Sequence, residues 1–258
     1  MAAKRVNIPV ISKLFYILGF FASLLKGGGR FWFKGQISFK ILVMQIFFTF
    51  VEAMSIGAFL AIGIGGAVII IGMPLLASFS QEHRIYPALI TIIMRELGPL
   101  LTAFIVIARS GTAIATEIAG MVISHEIEAY ISVGVDPIEH LGAPRFLGVT
   151  ISTFLLNIYF SIFGLVFSFI VSMFFNAMPP SIYFNNLLQV LTISDIFLTV
   201  VKSVVCGMII STVALYYGFE VERASTEVPV AGLRAVGSAF GWCILVNILL
   251  STIYYVVA

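Results

Sequence analysis

Five polar side chains stand inside long apolar runs of this sequence: Glu52, Arg95, Glu96, Lys202 and Asn247. An ionisable group at the centre of a bilayer costs at least about 2.5–3.5 kcal/mol, so it normally faces a cavity or a partner. Arg95 and Glu96 are adjacent. Neighbours on a helix point about 100° apart, so these two cannot both face one partner directly. They either line a polar point inside a transport cavity or form a structural pair holding two helices together. The pattern Arg95-Glu96-Leu97-Gly98-Pro99 predicts a local break that opens backbone groups for bonding. Lys202 can snorkel outward or contact an anionic head group. Asn247 is helix-to-helix glue or a cavity-lining group. Nucleophile–base and metal chemistry are poorly served. His83, His125 and His140 all fall at loops, and with Cys206 and Cys243 they show no metal-ligand spacing. The two cysteines sit in apolar runs and read as small buried hydrophobes.

A second constellation offers a surface. Between the second and third apolar runs, Glu126 and Glu128 open a short predicted helix, and Ile127, Ile131 and Val135 make an apolar stripe at spacing four. Gly134 can end that helix, and Asp136-Pro137 can begin the next. Such an amphipathic piece docks on a partner or lies on lipid. A third feature is the Gly237-Ser238-Ala239-Phe240-Gly241 motif, with Ala231, Ala235 and Ala239 at spacing four. Small residues let helices approach closely, within one subunit or across a symmetric dimer.

The elements that carry these residues follow from composition. Of 258 residues, 60% are apolar and only 10% are charged, against roughly 25% charge in a soluble domain. That deficit excludes an ordinary cytosolic enzyme and a disordered chain. A net charge of +2 provides no basic face for nucleic acid. Five stretches reach the roughly 20 apolar residues that a bilayer crossing needs. The first run, Ile41–Phe79, is about 60 Å long as a helix, so Ile41–Val51 is read as a lead-in and about 53–76 as the crossing. Its Gly63, Gly65, Gly66, Gly72 and Pro74 predict kinking or close packing. The second starts near Pro87, and the others are about 146–175, 196–217 and 235–257. The expected fold class is therefore an all-α polytopic membrane protein of five transmembrane helices.

Lys and Arg set the orientation. The first 40 residues hold seven of them, and Arg145, Arg223 and Arg234 lie in the second and fourth connections, read as about 117–145 and 218–234. The N-terminus and both of those connections are expected in the cytoplasm, and the C-terminus outside. Residues 1–40 read as a basic amphipathic segment lying on the inner leaflet, with a break at Gly27–Gly29, or as a basic tail that only fixes topology. The segment lacks the layout of a signal peptide. Residues 41–258 form the five-helix domain.

The same residues carry a resemblance. Over roughly 40–258 the chain resembles the MlaE/YrbE family of lipid ABC-transporter permeases. The blocks are Arg95-Glu96-Leu97-Gly98-Pro99, the run from Ala108 to Glu117, Gly134-Val135-Asp136-Pro137 with Pro144-Arg145, and the Arg234 run into the fifth span. The resemblance implies five membrane helices, an amphipathic N-terminal helix, and a homodimer bound to two cytoplasmic ABC ATPases. It also implies an MCE-domain partner protein outside the inner membrane, with phospholipid or related lipid as cargo moved between inner and outer membranes. By resemblance 124–137 is the coupling helix that seats on the ATPase, with Glu126, Ile127, Glu128, Ile131, Gly134, Asp136 and Pro137 as its residues. Arg95, Glu96, Lys202 and Asn247 fall near the lipid cavity, the last where many relatives carry Asp. Gly237 and Gly241, read above from their motif, are the expected dimer contact.

No GxxxxGK[ST] phosphate loop occurs in the chain. The expectation is a non-catalytic membrane subunit with no cofactor or metal of its own, ATP and Mg being handled by the partner ATPase. The expected location is a bacterial inner membrane; a plastid envelope protein would carry a transit-like extension. The competing readings are an ion-coupled secondary transporter relaying through Glu52, Glu96 and Lys202, and an intramembrane enzyme.

Overall fold

The computed structural model describes residues 10–34, 39–176, 179–222 and 224–257. The basic residues Lys4, Arg5 and Arg223, and the 35–38 stretch of the N-terminal segment, lie outside the described residues. Among the described residues the structure is all helical, with no strand. Five helices are long and apolar enough to cross a membrane: span 1 Lys40–Ser78, span 2 Ile85–Ile123, span 3 Ile138–Phe174, span 4 Ile193–Phe219 and span 5 Glu227–Val256. Three shorter or peripheral helices accompany them: α1 (Val10–Lys34), α2 (Glu126–Ser132) and α3 (Pro180–Val190).

The spans run further than hydropathy alone indicates. Span 1 has no lead-in segment distinct from the crossing. Helix continues from Phe39 through a π-helical turn at Phe47–Val51 into Glu52–Ser78. A polar residue such as Gln45 or Glu52 does not end a helix when its polar atoms find partners, and Gln45 donates to Thr49 one turn on (3.1 Å). Span 3 begins at Ile138 and span 5 at Glu227, which shortens both charged connections.

Spans 2 and 4 form the middle of the bundle. Of the apolar window of span 4, 56% is buried, against 17% for span 5, so span 5 keeps one wide face uncovered. Small residues set the close approaches. A Cβ on Gly65 would strike the Gly164 carbonyl, and one on Gly207 would meet the Thr150 backbone at 2.8 Å. Helix α1 continues through Gly27–Gly29 instead of breaking there. Gly27 and Gly28 lie against Ala143 and Leu147 of span 3, where an added Cβ would sit 3.3 and 3.5 Å from those side chains. At these positions glycine serves packing, and the helix does not need its freedom to turn. Helix α3 is fastened at the opposite end, where Tyr183 donates to the Leu165 carbonyl (3.2 Å) and burial pushes its phenol pKa up.

Candidate functional site

Pro99 organises the centre of the site. It sits at the start of an α-helical stretch, Gly98–Val106, that follows a π-helical stretch over Ile90–Leu97. Having no N–H, it cannot bond the carbonyl of Arg95 (four residues back) or of Met94 (five back). Span 4 supplies a donor to each of these carbonyls. Lys202 Nζ donates to the Arg95 carbonyl at 2.7 Å, and Thr199 Oγ1 donates to the Met94 carbonyl at 3.2 Å. The expected opening of backbone groups is present here. Gly98 is required as well, because a Cβ there would collide with the Ile93 carbonyl.

Arg95 and Glu96 face different partners, as their angular separation demands. Arg95 Nε lies 2.7 Å from Asp195 Oδ1, an ion pair whose N–H is not well aligned with the oxygen. Its guanidinium also lies 5.3 Å from the Tyr254 ring centroid, while the Tyr254 hydroxyl donates to the same Asp195 oxygen (3.1 Å). Asp195 is fully buried and closes a capping box with Thr192 at the start of span 4. Glu96 turns to Lys202, at 3.2 Å, and to the Ser251 hydroxyl, at 2.8 Å. Lys202 Nζ donates to Ser251 Oγ as well (2.6 Å). Lys202 is fully buried, so it does not snorkel.

The partners are spaced to share faces. Asp195 and Lys202 are seven residues apart on span 4, two helical turns on one stripe. Ser251 and Tyr254 are three apart on span 5, and Asn247 lies one turn below Ser251. Asn247 is buried, and its Oδ1 has no hydrogen-bond partner. Arg95, Glu96 and Lys202 are thus brought together by three spans, and Asn247 joins their stripe from span 5. Sequence reading missed Asp195, Ser251 and Tyr254. The one signal available was spacing: Asp195 lies seven residues before Lys202, and Ser251 four after Asn247.

Glu52 belongs elsewhere. Its carboxylate and its backbone carbonyl both accept from Arg109. Arg109 is thirteen residues from Glu96 on span 2, about 20 Å along the helix axis. The relay of Glu52, Glu96 and Lys202 proposed for an ion-coupled carrier is therefore not contiguous. A second pair, Arg145 with Glu117 (2.7 Å), ties the start of span 3 to span 2.

At the same end, α2 spans Glu126–Ser132 and starts after His125, which adopts a left-handed conformation (φ 62°). Gly134 takes φ +76° and ends the helix, and Asp136 accepts from the Ile138 amide (2.8 Å) one residue past Pro137, so both predicted signals operate. Glu128 faces His125 at 3.0 Å, and Ser124 donates to Glu126. The apolar stripe divides. Ile127 packs inward, while Ile131 is 61% exposed. Beside Ile131, Pro137 and Glu220 lies a cavity of about 420 Å³.

On span 5, Ala231, Ala235 and Ala239 are buried against the bundle, whereas Gly237 and Gly241 lie on the opposite face with nothing within 4 Å of an added Cβ. The GxxxG face is not used for packing within the described residues. Cys206 and Cys243 are free, buried thiols on facing spans, and no group of three or more metal-ligating side chains forms among the described residues.

A family profile described as Permease MlaE matches residues 42–253. The chain is 25% identical over 222 residues to a probable ABC transporter permease protein of Rickettsia typhi, covering 86% of each chain. It is 26% identical over 227 residues to the intermembrane phospholipid transport system permease protein MlaE of Haemophilus influenzae, covering 85% of this chain and 87% of that one. A probable ABC transporter permease protein of Synechocystis matches at 26% over 192 residues, 72% of this chain and 73% of its own.

Proposed function

The chain belongs to the MlaE permease family of ABC transporter membrane proteins, and from that membership we propose that it is the lipid-translocating subunit of an ATP-driven phospholipid transport system. The observation that carries the lipid assignment is the buried Glu96–Lys202–Ser251 cluster with the unpaired Asn247 oxygen one turn away. A membrane bundle held only by packing has little reason to bury a lysine and leave an amide oxygen open beside it. In this reading the open Asn247 oxygen accepts from a head-group donor, Lys202 binds the head-group anion by exchanging Glu96 for it, and the acyl chains lie against the apolar walls that the spans supply.

In this reading the α2 end faces the cytoplasm of a bacterial inner membrane and the C-terminus lies outside it, because basic residues concentrate at that end. Helix α1 lies on the inner leaflet. Helix α2, with Glu126, Ile127, Glu128, Ile131, Gly134, Asp136 and Pro137, seats on a separate ABC ATPase, which supplies the ATP chemistry. ATP binding would toggle a homodimer between two packings through that contact, with Gly237 and Gly241 at the dimer seam. An MCE-domain protein on the outer side would receive or deliver the lipid.

The test is lipid content. Purified wild-type protein should retain anionic phospholipid through mild-detergent purification, and Lys202→Ala should retain markedly less. Equal lipid in both proteins would remove the head-group role of the cluster.

A further inference from the structure

A second polar site lies about 20 Å along span 2 from the Glu96 cluster, and it belongs to neither the cluster nor the α2 surface. It is a cavity of about 530 Å³ between the first turns of span 1 and the α2-side half of span 2. That volume is in the range of small-ligand pockets. Three cations and two carboxylates line it, in a chain with only 26 Asp, Glu, Lys and Arg residues. Four of the five are paired, Glu52 with Arg109 and Glu117 with Arg145. Lys40 is the remainder. Among the described residues no carboxylate lies within ion-pairing distance of it.

The rest of the lining is divided by chemistry. Gln45, Thr49 and Ser110 provide neutral hydrogen-bonding groups on one side. Met44 and Phe48 form an apolar wall and are each about half exposed on the outside of the bundle, at 48% and 49%. The pocket therefore has an apolar side exposed on the outside of the bundle, with its unpaired cation at the head of span 1.

We propose that this pocket binds the phosphate of a lipid taken from the α2-side leaflet, Lys40 contacting the phosphate and an acyl chain lying against Met44 and Phe48. The inference rests on the reading of the chain as a lipid permease and adds to it a site at which lipid is first held. A phosphodiester matches the single uncompensated positive charge and the neutral donors. The Glu52–Arg109 pair sets the strength of the site, because Glu52 occupies one of the two guanidiniums that line the pocket, as Glu117 occupies the other. Neutralising Glu52 adds cationic character, so this variant should gain binding, a result that misfolding cannot mimic.

The experiment uses the full-length protein in phosphatidylcholine nanodiscs containing a small share of phosphatidylglycerol with a photoactivatable group on one acyl chain. Adducts on the peptide holding residues 41–53 are quantified by mass spectrometry against adducts elsewhere on the chain. Lys40→Glu should lower them about tenfold, the effect of losing one charge-assisted hydrogen bond and gaining repulsion. Lys40→Arg should retain them, and Glu52→Gln should raise them. Equal adducts in wild type, Lys40→Glu and Glu52→Gln would overturn the site. Displacement by millimolar inorganic phosphate would overturn the lipid assignment and give the pocket to a soluble oxyanion. The measurement involves no ATPase, so a chain that fails to recruit one and a chain that lacks this site give separate results.

Discussion

The Lys202 ammonium lies 2.7 Å from the Arg95 carbonyl, an acceptor that is open because Pro99, four residues on, has no N–H to offer it. The same nitrogen reaches Glu96 and Ser251, so one buried lysine joins three membrane spans. A backbone break, an ion pair and a hydroxyl are coupled through that single group.

Removing one member of such a cluster should cost more than removing the pair. Lys202→Met leaves Glu96 and the Arg95 carbonyl without their cation and should destabilise the detergent-solubilised protein by about 3 kcal/mol. The double variant Lys202→Met/Glu96→Gln should recover at least part of that loss. Thermal unfolding midpoints of the four proteins of the cycle check this, and additive losses would show that the two side chains are not coupled.

Asp195 has two roles, as the Arg95 partner and as half of the capping box with Thr192. Thr192→Ala removes only the cap and should cost about 1 kcal/mol. Asp195→Ala removes the cap and strands Arg95, so its unfolding midpoint should fall clearly further. Equal losses would reduce Asp195 to a capping residue.

The sequence made the polar cluster partly legible. Arg95, Glu96 and Lys202 stand out because charge is rare in apolar helices, and their separation by about 100° correctly predicted different partners for the first two. Asp195 was hidden because it sits at the very start of span 4, where an acidic residue reads as a solvated helix end. Ser251 and Tyr254 were hidden because a hydroxyl in an apolar run carries no charge signal. The α2 boundaries were readable from Gly134 and Asp136, whose backbone roles are local. The Gly27–Gly29 break was misread because a glycine run looks the same whether it turns the chain or admits a neighbouring helix, and only the presence of Ala143 and Leu147 decides.

Helix α2 should be separable from the membrane fold. Ile131→Glu places a charge on its exposed apolar face, and Glu128→Ala and Asp136→Ala alter its acidic side and the cap on Ile138. Each variant should insert normally yet lose ATPase co-purification, with Ile131→Glu losing most. Undiminished recovery in all three would remove the coupling role from this helix.

The Gly237 and Gly241 face has open space outside it. Leucine at both positions should therefore leave monomer stability within about 0.5 kcal/mol, as for substitutions away from packed features. It should weaken a dimer that uses this seam, shifting the particle mass measured by light scattering in mild detergent toward the monomer. An unchanged dimer mass would place the seam on another face.

A membrane subunit of an ATP-driven lipid transporter works only in company with its partners. The most direct measurement is a mild-detergent pull-down of the tagged protein from its native membrane, with the co-purifying proteins identified. The expected result is recovery of an ABC ATPase together with an MCE-domain protein. Recovery of the chain alone, under conditions that preserve other membrane complexes, would contradict the transporter reading.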